Sequence, residues 1–177
     1  MTLTQRELWA VVHGMGLGAI FLLAFAGGFA GLWSLRTEYI TPAGLRERIR
    51  RLDWGTSVMA AAAWLTVISG TWIVYPWYRA KPPEGATDLS VYPRSLILAS
   101  EATARWHDFG MEWKEHVAWL APFLATAVAY VVWRYGDQIA ANDPLRRVLI
   151  VLFTLAFLTA AAAGLFGAFI TKVAPIY

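Results

Sequence analysis

Four long stretches of this chain contain no Asp, Glu, Lys or Arg, and all 27 charged residues (15 basic and 12 acidic) lie outside them. The stretches are Leu8 to Leu35, Trp54 to Tyr78, His116 to Trp133 and Val148 to Thr171. A helix rises about 1.5 Å per residue, so roughly 17–25 apolar residues cross the hydrocarbon of a bilayer. In lipid a helix satisfies its own backbone hydrogen bonds, whereas an isolated strand does not. The sequence therefore predicts an all-α integral membrane protein, a four-helix transmembrane bundle.

The segments between these spans predict the domain organisation. The longest, the outer loop of residues 79–115, is too short for a second domain, so residues 1–177 are predicted to form a single transmembrane domain. Two prolines and a glycine within residues 81–85 exclude regular structure there. Ser100 is a good N-cap and predicts a short helix that leads into the third span. Pro122 lies inside that span and predicts a kink.

Composition excludes several classes of protein. Hydrophobic residues make up 58 % of the chain and charged residues 15 %, which excludes a disordered chain. The absence of cysteine excludes disulfides, thiolate metal sites and iron–sulfur clusters. A net charge of +3 with scattered arginines does not form a nucleic-acid footprint. The sequence contains no phosphate loop, no dinucleotide-binding glycine pattern and no HExxH motif, so nothing indicates catalysis by this chain alone.

The basic residues predict the orientation. Eight of the 15 lie in the two short turns that join the first span to the second and the third to the fourth, with the densest run from Arg46 to Arg51. The positive-inside rule then puts both short turns in the cytoplasm. We therefore expect both termini and the outer loop to lie outside, in a prokaryotic plasma membrane.

The three histidines are the main functional signal. His13 lies well inside the first span, His116 opens the third span, and His107 precedes it on the loop helix, so the topology places all three towards the outer surface. Ionisable residues are costly in lipid and mark function. Two imidazoles that face each other across a bundle are the usual ligands of a six-coordinate haem b. Nine residues correspond to about 900° of helix, so His107 and His116 point to opposite faces. We favour His13 with His116 as the axial pair, with His107 as the alternative to His116.

The neighbours of these histidines suit a haem, although each also suits simple helix packing. Gly16 lies one turn from His13 and leaves room for a flat porphyrin, and Arg105 and Lys114 are predicted to pair with the propionates at the outer rim. The glycines near His13 also form small-xxx-small patterns, which are common at close-packed helix interfaces. His13 itself is also compatible with a hydrogen bond to a neighbouring helix. Arg105 and Lys114 are also compatible with a role as solvated loop charges.

On this layout of spans and on His13 with His116 or His107, the chain resembles the four-helix b-type membrane cytochromes, that is, the cytochrome b561-like and related quinone-linked haem b subunits. The resemblance implies electron transfer between a quinone pool and a protein partner. It also implies a larger respiratory or redox complex, with other membrane subunits and an extracytoplasmic cytochrome or oxidoreductase as partners. Two-haem members need four ligand histidines and this chain has three, so at most one bis-histidine haem is expected.

Two alternatives remain open from the residues alone. His107 and Met111 are four residues apart on one helix face, and imidazole with thioether sulfur suits copper(I). Glu112 and His116 form a second such pair that suits a divalent metal. The other alternative is a cofactor-free scaffolding subunit, because spans rich in small residues, such as Ala160 to Gly164, commonly pack against partner helices.

Overall fold

The structure is a computed structural model that describes residues 2–37 and 40–176. Four of its helices are long and apolar enough to cross a membrane. Numbered in chain order with one short loop helix, the helices are α1 (Gln5–Ser34), α2 (Pro42–Tyr78), α3 (Pro93–Leu98), α4 (Glu101–Ile139) and α5 (Asp143–Val173). The described residues contain no strand. The predicted all-α, four-helix membrane bundle is confirmed, and the protein is an integral membrane protein.

Three of the four spanning helices begin well before the charge-free stretches. Helix α2 begins at Pro42, α4 at Glu101 and α5 at Asp143. The lack of charge marks only the part of a helix that suits hydrocarbon, and a helix continues into the polar interface where charged side chains stabilise it. At the start of α2, for example, the Glu47 carboxylate pairs with Arg50 and Arg51, each at 2.7 Å.

Helix α1 begins with a capping box. The Thr4 hydroxyl accepts a hydrogen bond from the Glu7 backbone N–H at 3.2 Å, and the Glu7 carboxylate accepts one from the Thr4 N–H at 2.7 Å. Both bonds satisfy amide groups that the first turn of a helix leaves unpaired. The box fixes the start of α1 and thereby the register of His13, which lies about two turns further along.

Helix α4 starts where the sequence predicts and is irregular near Pro122. Ser100 is its N-cap, with extended backbone at φ −135° and ψ 132°. A turn at Ala118 and Trp119 interrupts the helix just before Pro122. Proline lacks the N–H that would bond the carbonyl four residues earlier, and its ring crowds that carbonyl. A second irregularity at Tyr135 (φ −130°, ψ 19°) was not predicted.

The chain forms two compact units, and each spanning helix contributes residues to both. Unit 1 comprises Met1–Gly18, Leu65–Trp119 and Ala161–Tyr177, and unit 2 comprises Ala19–Trp64 and Leu120–Ala160. Unit 2 contains a large apolar core, whose fully buried members include Leu32, Met59, Val128, Val132 and Phe153. Unit 1 contains a smaller apolar cluster of Tyr78, Ile97, Met111, Ile170 and Ala174. Helix α3 joins that cluster through Ile97.

Four segments of the spanning helices are wound as π-helix, and all four lie in unit 1. They are Val11–Gly16 in α1, Gly70–Val74 in α2, and Trp106–Met111 and Trp113–Val117 in α4. A π-helical turn inserts one residue into the helix and often occurs at a functional site. His13, His107, Lys114 and His116 all lie on these segments. Unit 1 therefore contains the candidate functional residues.

Candidate functional site

A small polar centre lies among the helices of unit 1. It consists of His13 on α1, Thr66 and Ser69 on α2, Lys114 on α4 and the Ala163 carbonyl on α5. The His13 Nδ1 lies 3.0 Å from the Ser69 hydroxyl oxygen, and that hydroxyl donates to the Thr66 carbonyl at 3.1 Å. Because the hydroxyl proton is used there, Nδ1 of His13 is the donor to the hydroxyl oxygen. A neutral His13 with its proton on Nδ1 carries its lone pair on Nε2, the atom available to a ligand.

Gly70 lets the His13 ring lie against α2. A Cβ atom on residue 70 would lie 2.9 Å from Cε1 and 3.5 Å from Nε2 of His13. Real Cβ contacts are longer than the first of these distances, so any larger residue would displace the imidazole. The ring therefore occupies space that α2 leaves open only because residue 70 is glycine.

Lys114 is the charged member of the polar centre. Its buried amino group donates to the Ala163 carbonyl at 3.2 Å, between α4 and α5. A Cβ atom on Gly167 would lie 3.1 Å from Nζ, so this glycine makes room for the ammonium group. Lys114 is also close enough to His13 for the two to interact electrostatically. The sequence places this lysine at the outer rim beside haem propionates, whereas the structure directs its amino group into the bundle.

A second polar cluster lies around Tyr78 at the end of α2. The buried Tyr78 hydroxyl lies 2.9 Å from Nδ1 of His107 on α4. Arg94 and Asp108 are within electrostatic range of Tyr78, and the buried Nε of Arg94 has no hydrogen-bond partner among the described residues. The sequence analysis missed this cluster, because nothing in a linear pattern brings Tyr78 next to His107.

His116 is held by its own helix. Its Nδ1 donates to the Glu112 carbonyl at 3.0 Å and lies 3.4 Å from the Glu112 carboxylate. The predicted Glu112–His116 pair is therefore formed, and the His116 side chain is 70 % exposed. Met111, by contrast, is buried in the apolar cluster of unit 1. Within residues 2–37 and 40–176, no three His, Asp or Glu side chains are grouped as a metal site.

The donor chemistry suits a haem, and the site is open. All three imidazoles form a hydrogen bond through Nδ1, which is the arrangement that orients a histidine whose other nitrogen binds a metal. A Cβ atom on Gly14 or Gly18 would meet no atom within 4 Å, and one on Gly16 would meet only the Val11 carbonyl at 3.8 Å. The glycine face near His13 is therefore an open surface. A haem on this chain would need a neighbouring protein or lipid to cover it.

The structure separates the sequence-predicted residues into three sets. They are a polar centre with His13 and Lys114, a hydrogen-bonded pair of Tyr78 and His107, and the exposed residues Gly16, Arg105 and His116. Comparison of the chain with protein-family models, curated proteins and solved structures found no match.

Proposed function

We propose that this protein is the membrane subunit of a larger redox complex, and that unit 1 holds one haem b through which electrons pass near one face of the membrane. One observation carries the proposal. All three histidines of the chain lie in unit 1, and two of them are hydrogen-bonded to another helix, His13 to Ser69 and His107 to Tyr78. Since imidazoles are costly in lipid, their concentration in one unit favours a functional role there.

We propose that His13 and His116 would hold the haem iron, each through Nε2. Ser69 orients the first ring and the Glu112 carbonyl orients the second, so that neither imidazole has to be ordered when iron binds. When bound, the haem would supply one-electron chemistry that the side chains of this chain lack. His107 is the alternative ligand, with Tyr78 as the group that orients it.

The open face of unit 1 supports a partner subunit. His116 is 70 % exposed, and the glycines beside His13 face open space. A haem on these residues would be covered on its outer side by another membrane subunit, and an extracytoplasmic cytochrome or oxidoreductase would dock beside it. Lys114 lies near His13, and a protonated amino group there would stabilise a reduced haem iron. Arg105 is exposed and remains the proposed partner of a propionate.

The test is a reduced-minus-oxidised absorption spectrum of the full chain with each histidine replaced in turn. We expect α and Soret bands in the wild-type protein and their loss in both His13→Ala and His116→Ala. His107→Ala is the matched control, since it removes an imidazole from the same unit and should keep the bands. Loss of the bands in His107→Ala with survival in His116→Ala would move the second ligand to His107 and contradict the proposed pair.

A cofactor-free scaffolding subunit is the second candidate. The observation that favours it is that two open pockets among the described residues lie in unit 2 and are lined by no histidine. In that case the purified protein would show no haem bands and no copper by elemental analysis, yet would still copurify with other membrane subunits. Copper without haem would instead favour His107 and Met111 as metal ligands.

A further inference from the structure

An open groove lies between α1 and α2 in unit 2, and no histidine lines it. Its volume is about 340 Å³, and it is lined by Leu23, Gly27 and Gly31 of α1 and by Arg48, Arg51 and Gly55 of α2. We name it the arginine groove. All of its lining residues belong to unit 2, so it is independent of the polar centre and of the function proposed for unit 1.

The floor of the arginine groove is apolar and narrow. Leu23 is 74 % exposed at its edge, and a Cβ atom on Gly27 would meet no atom within 4 Å. At Gly31 a Cβ atom would lie only 3.1 Å from Leu52, so the two helices come close together there. The groove is lined mainly by apolar residues and is open to its surroundings, so it suits a lipid hydrocarbon chain.

Two guanidinium groups lie at one end of this apolar floor. Arg48 donates to the Ser34 carbonyl at 3.2 Å, and Arg51 donates through Nε to Glu47 at 2.7 Å. Each contact uses only part of a group that carries five N–H donors, and the Arg51 side chain is 77 % exposed. The remaining donors are available to an anion, which arginine binds in a bidentate manner when the anion is a phosphate.

An exposed tryptophan marks the depth of this end in the membrane. Trp33 precedes Ser34, and it is 58 % exposed. Tryptophan collects at the level of lipid headgroups, where its ring is partly apolar and its N–H is hydrated. The arginine end of the groove therefore lies at headgroup depth, while Leu23 and Gly27 lie towards the hydrocarbon.

We propose that the arginine groove binds one anionic phospholipid. The phosphate contacts Arg48 and Arg51, and an acyl chain lies along the surface formed by Gly27 and Gly55. Basic pockets between membrane helices bind anionic headgroups through this combination of charge and apolar surface. The bound lipid fills space between α1 and α2 and screens the positive charge of the Arg46 to Arg51 run.

The experiment is native mass spectrometry of the full chain in an uncharged detergent, titrated with phosphatidylglycerol or with phosphatidylcholine. We expect one phosphatidylglycerol molecule to bind at least about tenfold more tightly than phosphatidylcholine. Arg48→Gln combined with Arg51→Gln should weaken that binding about 25-fold, since each basic side chain near an anionic lipid contributes about a factor of five. The matched control is Arg46→Gln with Arg50→Gln, which removes the same charge from the same helix outside the groove and should change affinity less than about threefold.

A second variant tests the acyl-chain part of the groove. Gly27→Leu fills the open floor and should weaken phosphatidylglycerol binding while the protein stays folded, because its Cβ meets no neighbour. Gly14→Leu, at an equally open position outside the groove, should leave binding unchanged. Equal losses in the two arginine pairs would overturn the proposal, as would competition by millimolar inorganic phosphate, which has no acyl chain. Dissociation of a homodimer by Gly27→Leu would identify a second copy of the chain as the occupant and equally overturn it.

Discussion

At the level of single residues, glycines determine where the polar side chains of unit 1 lie. Gly70 leaves space for the His13 ring and Gly167 leaves space for the Lys114 amino group. Neither glycine is exceptional in its backbone conformation, and only Gly85 among the described residues has a positive φ, of 78°. The role of Gly70 and Gly167 is therefore steric, and substitutions that add a single methyl group test it.

Gly70→Ala should destabilise the protein, although alanine is the better helix former. The new Cβ would lie 2.9 Å from Cε1 of His13, and such overpacking costs about 1–3 kcal/mol. Gly14→Ala is the matched control on α1, where a Cβ meets nothing within 4 Å, so the gain in helix propensity of about 1 kcal/mol should appear alone. The measurement is the apparent free energy of unfolding in detergent titrated with SDS. Equal stabilisation by both substitutions would show that His13 does not lie against Gly70.

Lys114→Met should stabilise the fold. The substitution keeps a long flexible side chain and removes a largely buried amino group, whose hydrogen-bond partner among the described residues is the Ala163 carbonyl. Replacing a buried charge by an apolar side chain of similar size typically stabilises a protein by about 1–3 kcal/mol. The exposed Lys172→Met is the control and should have an effect within about 0.5 kcal/mol. A clear loss of stability in Lys114→Met would mean that the ammonium serves to join α4 to α5.

The sequence identifies the residue types of the candidate site better than their contacts. The three histidines stand out because imidazoles are rare in apolar spans, and His13 and His116 remain the proposed ligands. Lys114 was predicted at the rim because it lies just before a charge-free stretch, and its inward direction depends on Gly167, which is distant in sequence. The Tyr78–His107 contact also joins separate helices, so no local pattern predicts it.

At the level of helices, the charge-free stretches locate each span but not its ends. Helix α5 begins at Asp143, before the apolar stretch, and its first turn is held by a buried guanidinium. Arg146 is 5 % exposed, donates to the Leu35 carbonyl at 3.0 Å and pairs with Asp143, which also pairs with Arg147. The π-helical turns were not predicted either, because they arise from packing between helices and have no sequence pattern of their own.

Asp143→Ala should destabilise unit 2 at this helix start. The substitution leaves the buried Arg146 guanidinium with the Leu35 carbonyl but without its carboxylate. Hydrogen bonds to charged groups contribute about 1.5–3 kcal/mol, and the 42 % exposure of the Asp143 side chain favours the lower part of that range. Asp88→Ala in the outer loop is the control, since its carboxylate only accepts the Ser90 N–H on the surface. Equal unfolding free energies for the two variants would contradict a stabilising role for the Asp143–Arg146 pair.

At the level of the whole molecule, the four-helix bundle follows from the distribution of charge. Few charges and no unpaired backbone N–H or C=O groups are tolerated in hydrocarbon. Four charge-free stretches of sufficient length are therefore expected to form four helices. The division of the chain into two compact units could not be predicted in the same way. It depends on which side chains meet across helices, as His13 and Ser69 do, and pairings of this kind are set by tertiary packing.

The orientation of the bundle is a separate prediction. The density of arginines from Arg46 to Arg51 favours cytoplasmic short turns, so both termini are expected outside. The natural chain has no cysteine, so a single introduced cysteine is the only thiol of the protein. In intact cells, a membrane-impermeant thiol reagent should label Thr2→Cys, which is expected outside, and should not label Thr41→Cys, which is expected in the cytoplasm. Labelling of Thr41→Cys alone would show that the orientation is the reverse of the predicted one, with unit 1 on the cytoplasmic side.

The most direct test of the central claim is the haem content of the wild-type chain. The protein is purified in mild detergent from cells supplied with a haem precursor, and haem b is quantified as its pyridine complex against protein mass. Three histidines permit one bis-histidine haem, so we predict one haem b per chain, with a low-spin reduced spectrum. A preparation that is folded, retains its partner subunits and contains no haem would contradict the claim and leave the scaffolding function in its place.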